Sequence, residues 1–380
     1  MTTKTSNMRT AISLFSGAGG MDIGVRDAGF EVLASIERDK HCCETLRENI
    51  KRQEHGTVVI ERDIRDVEPE VLRDMLGLDK KPLDLLFGGP PCQAFSQIGK
   101  QAALEDERGL LLFEMVRFAE VLRPKVIFIE QVKGLISARD HNGKPGGVLE
   151  MLLRDLQKIG YSPKWKLLNS AEYGVAQQRK RVFIVATDAK NTFDFPAATH
   201  QDVEKKGMDL FELKPFVGVG EVLKGIGKPV GKNEAPGFPG HIDVTPARDK
   251  ERICGVPEGG HLAAQLHLPK EQVGKLSKKD TTKYLRLSRS RPSNTLRCGE
   301  IFFHPVQSRY LTPREYMRIH GYPDEYVLSG PVRSRSGRVT DLDQHRQVAN
   351  SVPPPLAKAI ASEIARFLQC QASTRSLVTH

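Results

Sequence analysis

The strongest chemical signal in the chain is a cysteine that follows two prolines. Cys92 lies in the segment Gly88-Gly-Pro-Pro-Cys-Gln-Ala-Phe-Ser96, where the chain leaves a predicted strand. A solitary cysteine is often a small buried hydrophobe. On a loop at the carboxyl edge of an open α/β sheet, where such sheets bind ligands, Cys92 is instead a candidate nucleophile.

Three charged residues accompany this cysteine. Glu130 ends a second predicted strand, and Arg179 and Arg181 lie in Gln177-Gln-Arg-Lys-Arg181. Each could be structural, because a glutamate can cap a helix and paired arginines can form a solvated basic turn. The glutamate could instead supply a proton to a reacting ring, and the arginines could bind a carbonyl oxygen or a phosphate.

A glycine-rich turn predicts a nucleotide-like ligand. Leu14-Phe-Ser-Gly-Ala-Gly-Gly-Met21 joins the first predicted strand to the first predicted helix. Glu37 follows Gly17 by twenty residues, where an acidic side chain can accept from both hydroxyls of a ribose. Asp63 and Ile64 add a carboxylate and an apolar wall. A tight turn with no ligand is the alternative, but together these residues describe an adenosine pocket.

The elements that must position these residues follow an alternating pattern. From Thr10 to about Val185, short apolar runs alternate with amphipathic stretches, which predicts a doubly wound α/β sheet. We predict strands at 11–15, 31–36, 57–60, 83–87, 125–130, 163–168 and 182–185, and helices at 21–28, 40–49, 110–122 and 148–159. Val126-Ile-Phe-Ile129 is almost continuously apolar, as expected of a strand covered on both faces.

The remainder of the chain has a different character. After about Thr187, proline and glycine punctuate short segments, which predicts a second, irregular domain. We therefore expect a catalytic and cofactor-binding domain at 1–190 plus 345–380, and a smaller domain at 191–344. Helices are expected at 312–320, with Thr312 as N-cap, and at 356–367, the latter packing back on the first domain.

Composition bears on the binding partner and the cellular location of the protein. The formal charge of +10 favours a polyanionic partner, although scattered lysines and arginines can equally form a solvated surface. The six cysteines form no C-x-x-C pair, which argues against a zinc cluster or a disulfide framework and favours a reduced, cytoplasmic location. We find no signal peptide, membrane-spanning run or internal repeat.

The motifs resemble, in order, those of C5-cytosine DNA methyltransferases of the bacterial restriction-modification type. Pro-Pro-Cys-Gln with the flanking Phe-Ser is similar to the nucleophile loop of that family. The further matches are Phe15 to Gly20, Glu130-Gln-Val132, Gln177-Gln-Arg-Lys-Arg181, Leu311-Thr-Pro-Arg-Glu315 and Asn350-Ser-Val-Pro353. The resemblance implies a Rossmann-like sheet that binds S-adenosylmethionine, and a smaller irregular domain that recognises the target sequence.

The resemblance also implies a mechanism. Cys92 adds to carbon 6 of cytosine, so that carbon 5 can attack the methyl sulfonium of S-adenosylmethionine. Glu130 neutralises the charge that builds on nitrogen 3. Arg179 and Arg181 hold the carbonyl oxygen and phosphate of the nucleotide, and the second arginine contacts the cytosine itself. Because carbon 5 is inaccessible inside a stacked duplex, the base must be flipped out.

The resemblance implies a cofactor pocket without a metal. The expected cofactor-binding residues are Phe15, Ser16, Gly17, Gly19, Gly20, Glu37, Asp63, Ile64, Gly89, Pro91, Asn350, Ser351 and Val352. One position departs from the family pattern. Gln131 stands where the family usually has asparagine, which is thought to brace the nucleophile loop, so the substitution bears on efficiency more than on reaction type.

DNA-binding residues are expected in two regions. Segments 96–101 and 105–109 resemble the mobile loop of the family, and we expect DNA contacts from Ser96, Gln97 and Arg108. Target reading is expected between about 191 and 297, where candidate guanine contacts are Arg286, Arg289 and Arg291. Phosphate contacts or a plain surface role are alternatives for these three arginines.

Other functions remain open on the sequence. One branch of the family methylates transfer RNA, but it has Phe-Thr after the cysteine motif and a shorter variable region. A regulatory DNA-binding relative would usually lack the cysteine or the glycines, and an oxidoreductase is supported by the glycine turn alone. We therefore expect double-stranded DNA as the substrate, a monomer, and a cognate restriction endonuclease acting on the same site.

Overall fold

The computed structural model describes residues 8–91, 111–188, 193–204, 213–265, 267, 284–334 and 341–378, with side chains up to 372. Within these residues seven strands form the main sheet, in the order β3-β2-β1-β4-β5-β8-β6. These strands are β1 (Arg9–Leu14), β2 (Phe30–Glu37), β3 (Val58–Glu61), β4 (Leu85–Gly88), β5 (Val126–Val132), β6 (Tyr161–Asn169) and β8 (Lys180–Asp188). The doubly wound α/β sheet predicted from the sequence is confirmed.

The sheet is parallel across its first five strands and antiparallel at one side. β1 pairs in parallel with both β2 and β4, and β4 pairs in parallel with β5. β8 runs antiparallel to β5 and to β6. Because the strand order reverses between β2, β1 and β4, a crevice opens at the carboxyl ends of these strands, where open α/β sheets bind ligands.

Helices cover both faces of the sheet. The helices of this region are α1 (Gly20–Asp27), α2 (Lys40–Arg52), α3 (Pro69–Met75), α4 (Glu114–Leu122) and α5 (Gly147–Lys158). One hydrophobic core joins α3, α4 and α5 to the sheet, and a second joins α1 to the opposite face. β5 is buried from Val126 to Gln131, as the continuous apolar run predicts.

The second half of the chain consists of short elements around a third core. They are β7 (Gln177–Gln178), β9 (His200–Gln201), β10 (Lys214–Pro215), α6 (Val219–Val222), α7 (Ala247–Cys254), β11 (Ser293–Asn294), α8 (Pro313–His320) and α9 (Gln344–Asn350). The third core gathers large side chains such as Phe302, Tyr316 and Tyr326, together with Ile23 of α1. The division of the chain into two domains at the predicted boundaries stays a prediction.

The last helix, α10 (Pro354–Val378), returns to the sheet. Leu356 and Ile360 pack in the same core as Val25 of α1, so the expected docking on the first half of the chain is confirmed. The helix begins two residues before its predicted start, because prolines fit the first turn of a helix, where the backbone N–H groups have no intrahelical partner. No helix among the described residues has the length and apolar character needed to cross a membrane.

Candidate active site

A cavity of about 330 Å³ occupies the crevice at the carboxyl ends of the strands. It brings together the glycine turn, the ends of β2, β5 and β8, and the turn after α9. Its lining includes Phe15, Gly17, Ile36, Glu37, Asp63, Ile64, Gly89, Pro90, Pro91, Glu130, Gln131, Arg179, Arg181 and Asn350. Residues that lie far apart in the sequence thus share one cavity, as the sequence analysis predicts.

The carboxylate of Glu37 forms one wall of this cavity. It accepts hydrogen bonds from the backbone N–H groups of Gly17, Arg38 and Asp39, each at 2.8 Å. Burial raises the pKa of Glu37, partly opposed by these three donors. The carboxylate is therefore fixed in orientation at the end of β2, where it can also accept from ribose hydroxyls.

Asp63 lies beside Glu37 but is already engaged by arginines. Arg38 donates to it at 2.9 Å, and Arg65 donates from its side chain at 3.0 Å. The hydrogen bond from Arg65 is the main reason that the pKa of Asp63 lies well below its usual range. Asp63 thus presents a permanently ionised carboxylate next to the apolar wall of Ile64.

The glycine turn contains two kinds of glycine. Gly17 has φ +54° and lines the cavity, and a Cβ added there would meet nothing within 4 Å. A Cβ on Gly19 would lie 2.6 Å from the hydroxyl of Tyr326, and one on Gly20 would lie 2.4 Å from the carbonyl oxygen of Val352. The missing side chain at Gly17 keeps the cavity open, whereas the missing side chains at Gly19 and Gly20 allow Tyr326 and Val352 to pack closely.

A smaller cavity of about 30 Å³ adjoins the first one beneath the glycine turn. Phe15, which has the unusual φ of +55°, lines both cavities. The smaller cavity is lined by Ser13, Leu14, Phe15, Ser16, Gly17, Met21, Asp22, Gly88, Gly89, Glu130, Asn350, Ser351 and Val352. The predicted cofactor residues of the first and last motifs therefore meet here.

Glu130 and Arg181 face each other across neighbouring strands. The Nε atom of Arg181 lies 3.0 Å from Oε1 of Glu130, and both side chains are largely buried. The contact is an ion pair and not an aligned hydrogen bond, because neither atom has a hydrogen-bond partner of good geometry. The N–H group of Arg181 and this carboxyl oxygen of Glu130 are both buried and keep unused hydrogen-bonding capacity.

Arg179 supplies a second buried cation. Its guanidinium donates to the carbonyl oxygen of Ala349 at 2.9 Å, while its Nε has no partner. Burial lowers the pKa of Arg179 to about 9, with a smaller contribution from the neighbouring Arg181, so the group keeps its charge at neutral pH. A buried guanidinium with an unpaired N–H is suited to bind an anionic or carbonyl oxygen in the cavity.

Gln131 braces the loop that leads to the cysteine. Its Nε2 donates to the carbonyl oxygen of Pro90 at 2.7 Å, and the side chain is 1% exposed. Glutamine therefore makes a loop contact at the position where asparagine is expected. Pro91 is the last described residue before the loop, and Cys92, Ser96, Gln97 and Arg108 lie outside the described residues.

Comparison with known proteins agrees with this arrangement. The family model for C-5 cytosine-specific DNA methylases matches residues 9–366. The chain belongs to this family. It is a cytosine-C5 DNA methyltransferase, and S-adenosylmethionine is its methyl donor.

Several bacterial relatives are similar over nearly the whole length of this methyltransferase. The type II methyltransferase M.NgoFVII of Neisseria gonorrhoeae is 31% identical over 369 residues, which cover 94% of this chain and 87% of the relative. M.PspPI of Psychrobacter sp. is 34% identical over 387 residues, covering 97% and 82%.

Solved structures share the fold. A prophage-encoded protein from Escherichia coli, assigned as a DNA modification methyltransferase, superimposes with a TM-score of 0.69 at 22% identity, covering 95% of this chain and 99% of that one. Schizosaccharomyces pombe Dnmt2 superimposes with a TM-score of 0.53 at 15% identity, with the same coverage.

The residues of the methyltransferase cavity fit S-adenosylmethionine. Glu37 offers a fixed acceptor for a ribose, and Ile36 and Ile64 offer apolar walls for an adenine ring. Gly17 keeps the wall beside Glu37 open. The smaller cavity shares Phe15 and Gly17 with this region and extends to Glu130, so the residues that would hold the cofactor adjoin the candidate catalytic residues.

One buried network links two motifs of the methyltransferase through helix α8 and has no counterpart in the sequence analysis. Gln177 Nε2 donates to Nδ1 of His320 at 2.8 Å, so the opposite nitrogen of His320 donates to the carbonyl oxygen of Ser351 at 3.0 Å. Burial lowers the pKa of His320 well below its ordinary value, which keeps the ring neutral. The network holds the segment that carries Arg179 and Arg181 against the turn at 350–352. In the sequence, the position of His320 on α8 is the one signal that could have indicated this contact.

Asn350 is positioned from a different side. Its Oδ1 accepts from the thiol of Cys298 at 2.8 Å, and it lines both cavities. Ser351 and Val352 are buried, and the Ser351 hydroxyl donates to Val348 within the turn. Ser351 and Val352 therefore shape the turn at the same time as they line the smaller cavity.

The three arginines predicted to read DNA have different environments. Arg286 is 5% exposed, and its guanidinium donates to the carbonyl oxygens of Ile253 at 2.6 Å and Val306 at 3.2 Å. This corrects the prediction for Arg286, because a guanidinium engaged by buried carbonyls supports the fold and is not presented to a base edge. Arg289 and Arg291 are exposed, but each forms an ion pair with a carboxylate, Arg289 with Glu258 at 3.0 Å and Arg291 with Glu204 at 2.8 Å.

Proposed function

We propose that this enzyme methylates carbon 5 of a flipped-out cytosine within a specific short sequence of double-stranded DNA, through a covalent adduct between Cys92 and carbon 6. We also propose that it is the modification enzyme of a restriction-modification system. The relatives named as type II methyltransferases, and the family model that spans residues 9–366, support both statements.

The observation that carries the proposal is the composition of the cavity. The Glu130–Arg181 pair and the Pro90–Pro91 segment line the same cavity as Glu37. Cys92 follows Pro91 directly in the chain, and Gln131 holds the carbonyl of Pro90. The segment that leads to the proposed nucleophile, the proposed proton donor and the proposed cofactor pocket thus lie in one crevice, which supports addition to a cytosine ring at this site.

In the first step, the Cys92 thiolate forms a bond to carbon 6 of the target cytosine. The electron pair of the C5–C6 double bond moves through the ring, and negative charge builds on nitrogen 3. Glu130, in its protonated form, shares its proton with that nitrogen and neutralises the charge. The guanidinium of Arg181, which lines the cavity beside Glu130, can donate to the neighbouring carbonyl oxygen of the ring.

When bound, S-adenosylmethionine supplies an electrophilic methyl group to carbon 5. The proton on carbon 5 then leaves to a base from solvent, its electron pair restores the double bond as the bond between Cys92 and carbon 6 breaks, and the proton shared with nitrogen 3 returns to Glu130. Arg179 holds the nucleotide through these steps, because it is a buried cation that lines the cavity. The thiolate is regenerated and no external oxidant or reductant is consumed.

Base flipping is required because Cys92 must reach carbon 6 of the cytosine ring. A cysteine can attack carbon 6 only from above the ring plane, which neighbouring bases cover in a stacked duplex. We assign closure over the flipped base to the predicted loop with Ser96, Gln97 and Arg108. Sequence reading falls to the irregular region at about 191–297, where Arg289 and Arg291 are the remaining arginine candidates, and the enzyme acts as a monomer.

The experiment expresses wild type, Cys92→Ala and Glu130→Gln in a host without cytosine methylation, followed by conversion sequencing of the whole genome. Cys254→Ala is the matched control, because Cys254 is an exposed cysteine at the end of α7. We expect methylation confined to one short motif in wild type and control, none with Cys92→Ala, and strongly reduced methylation with Glu130→Gln.

Two outcomes would redirect the proposal. An unmethylated genome together with methylated host RNA would assign the chain to the RNA branch of the family. An unmethylated genome and transcriptome, with soluble protein that binds S-adenosylmethionine, would indicate a regulatory relative that retains DNA binding. Methylation that persists in Cys92→Ala would contradict the covalent mechanism.

A further inference from the structure

Asp22 is a buried carboxylate that the proposed mechanism does not use. It lies in the first turn of α1, is 0% exposed and lines the smaller cavity beneath the glycine turn. Its Oδ2 accepts from the hydroxyl of Ser13 at 3.0 Å, and its Oδ1 accepts from the hydroxyl of Ser35 at 2.7 Å. Ser13 and Ser35 are register partners on β1 and β2, so both hydroxyls point to the same face of the sheet.

The hydrogen bonds continue from Asp22 towards the cavity. Ser16 Oγ donates to Ser13 Oγ at 2.8 Å, and Ser13 in turn donates to Asp22. Ser16 Oγ also lies 3.4 Å from the carbonyl oxygens of Ser13 and Ile36, but Ser13 Oγ is its nearest acceptor, so this geometry directs each proton towards the carboxylate. The lone pairs of Ser16 remain available, and Ser16 lines the smaller cavity. The carboxylate polarises this chain and makes Ser16 a stronger acceptor than an isolated hydroxyl.

The carboxylate lacks a direct counter-ion within the described part of the chain. Among those residues no lysine, arginine or histidine forms a salt bridge with Asp22, and the main charge acting on it is that of Arg26. An unpaired buried carboxylate costs several kcal/mol unless it is protonated or another group compensates for the charge. For the ionised group, the adjoining cavity is a place where a compensating cation can lie.

We propose that Asp22, acting through Ser13 and Ser16, positions the α-ammonium group of the methionine part of S-adenosylmethionine. The inference rests on the cofactor site proposed at Glu37. The smaller cavity adjoins the larger one at Phe15, Gly17 and Glu130, so the amino-acid end of a cofactor whose ribose is bound at Glu37 can extend into it. An ammonium group brings the hydrogen-bond donors and the positive charge that the serine chain lacks.

The competing explanation is that Asp22 only stabilises the fold. Burial raises the pKa of Asp22, opposed by Arg26 and by the two serine hydroxyls, which would also suit a neutral acid that links α1 to the sheet. The two explanations differ for Asp22→Asn, because asparagine matches the shape of a neutral acid but cannot carry the negative charge. A neutral acid predicts no change in ligand preference.

The test is calorimetric titration with S-adenosylhomocysteine and with its deamino analogue, which keeps the carboxylate and lacks only the amino group. Wild type should bind S-adenosylhomocysteine at least about tenfold more tightly than the analogue. Asp22→Asn and Ser16→Ala should reduce this ratio to about threefold or less. Asp84→Asn is the matched control, because Asp84 is a buried carboxylate that accepts from Thr10 N and Lys125 Nζ, away from the cavities, and it should keep the wild-type ratio.

Two results would overturn the inference. A wild-type ratio in a folded Asp22→Asn protein, or in Ser16→Ala if Asp22→Asn fails to fold in a thermal melt, would assign Asp22 to the fold alone. Glu37→Gln separates this failure from failure of the cofactor site itself. It should weaken both ligands equally, and if it weakens neither, the cofactor binds elsewhere and the inference fails with that assignment.

Discussion

The side-chain amide of Gln131 donates to the carbonyl oxygen of Pro90 at 2.7 Å, two residues before Cys92. This single bond ties β5 to the loop that carries the nucleophile. Glutamine is one methylene longer than the usual asparagine. Its buried side chain nevertheless fits the site and makes this contact with the loop. The departure from the family pattern therefore preserves a loop contact.

Gln131→Leu should slow methylation without weakening cofactor binding. Leucine has a similar volume but leaves the buried carbonyl of Pro90 without a donor, which costs about 1–3 kcal/mol. We expect a decrease of about tenfold or more in the single-turnover rate, with an unchanged dissociation constant for S-adenosylhomocysteine. An unchanged rate would show that the Gln131–Pro90 contact does not position the loop.

Alanine at Gly17 and at Gly20 should separate ligand binding from stability. Gly17→Ala adds a methyl group at the cavity and a left-handed backbone strain of about 1 kcal/mol, so it should weaken cofactor binding more than it lowers the melting temperature. Gly20→Ala meets the backbone oxygen of Val352 and should lower the free energy of unfolding by at least about 1–3 kcal/mol. Calorimetry and thermal melts measure both effects, and the reverse order would contradict the two assigned roles.

Glu130→Gln should act on the chemical step. Glutamine keeps the size of the side chain but cannot deliver a proton to nitrogen 3, so the single-turnover rate should fall by about 10²–10⁴-fold. Binding of target DNA, measured by fluorescence anisotropy, should change far less. Loss of DNA binding in step with the rate would instead indicate that the Glu130–Arg181 pair holds the site together.

His304 should make stability depend on pH. Its Nδ1 accepts from the backbone N–H groups of Val306 and Gln307, at 3.1 and 2.9 Å, and therefore must remain unprotonated. Burial is the main cause that lowers the pKa of His304 to about 4, partly offset by Glu315, while Arg309, Arg286 and His241 also lower it. A histidine in the unfolded chain has a pKa of about 6.5. The stabilisation from neutral His304 is therefore fully present above that pH and is lost as the pH falls towards about 4.

Two variants test this dependence by urea unfolding between pH 4.5 and 7.5. His304→Asn offers an oxygen acceptor to the residue two positions on and should reduce the pH slope at nearly wild-type stability, leaving the slope from other buried histidines such as His320. His304→Leu should reduce the slope by a similar amount, at lower stability, because both N–H groups lose their acceptor. A wild-type pH slope in either variant would exclude His304 as a source of the dependence.

Local patterns in the sequence predicted much of the fold. The seven strands of the main sheet lie at their predicted positions, and Thr312 forms a capping box with Glu315 ahead of Pro313. These features depend on neighbouring residues, so a short segment is sufficient to reveal them. Helix α3 was missed, because Pro69–Met75 is short and carries charged residues throughout, with Leu72 as its buried anchor.

The features that the sequence could not reveal depend on distant contacts. Arg286 is buried because carbonyl groups from two other segments surround it, and nothing in Leu285-Arg-Leu287 indicates this. Gly19 and Gly20 belong to a motif associated with cofactor binding. The space beside them is nevertheless filled by Tyr326 and Val352, which lie more than 300 residues away in the chain. Tertiary packing overrides what local spacing suggests at these positions.

The most direct test of the central claim is covalent trapping of Cys92. A duplex with the recognised sequence, carrying fluorine in place of hydrogen at carbon 5 of the target cytosine, allows addition and methyl transfer but blocks the final elimination. With S-adenosylmethionine present, intact mass spectrometry should show the wild-type enzyme joined to one duplex strand plus one methyl group, with the linkage at Cys92, and no adduct for Cys92→Ala. An adduct mapped to another residue, or none in a wild-type enzyme that methylates the unmodified duplex, would contradict the proposed mechanism.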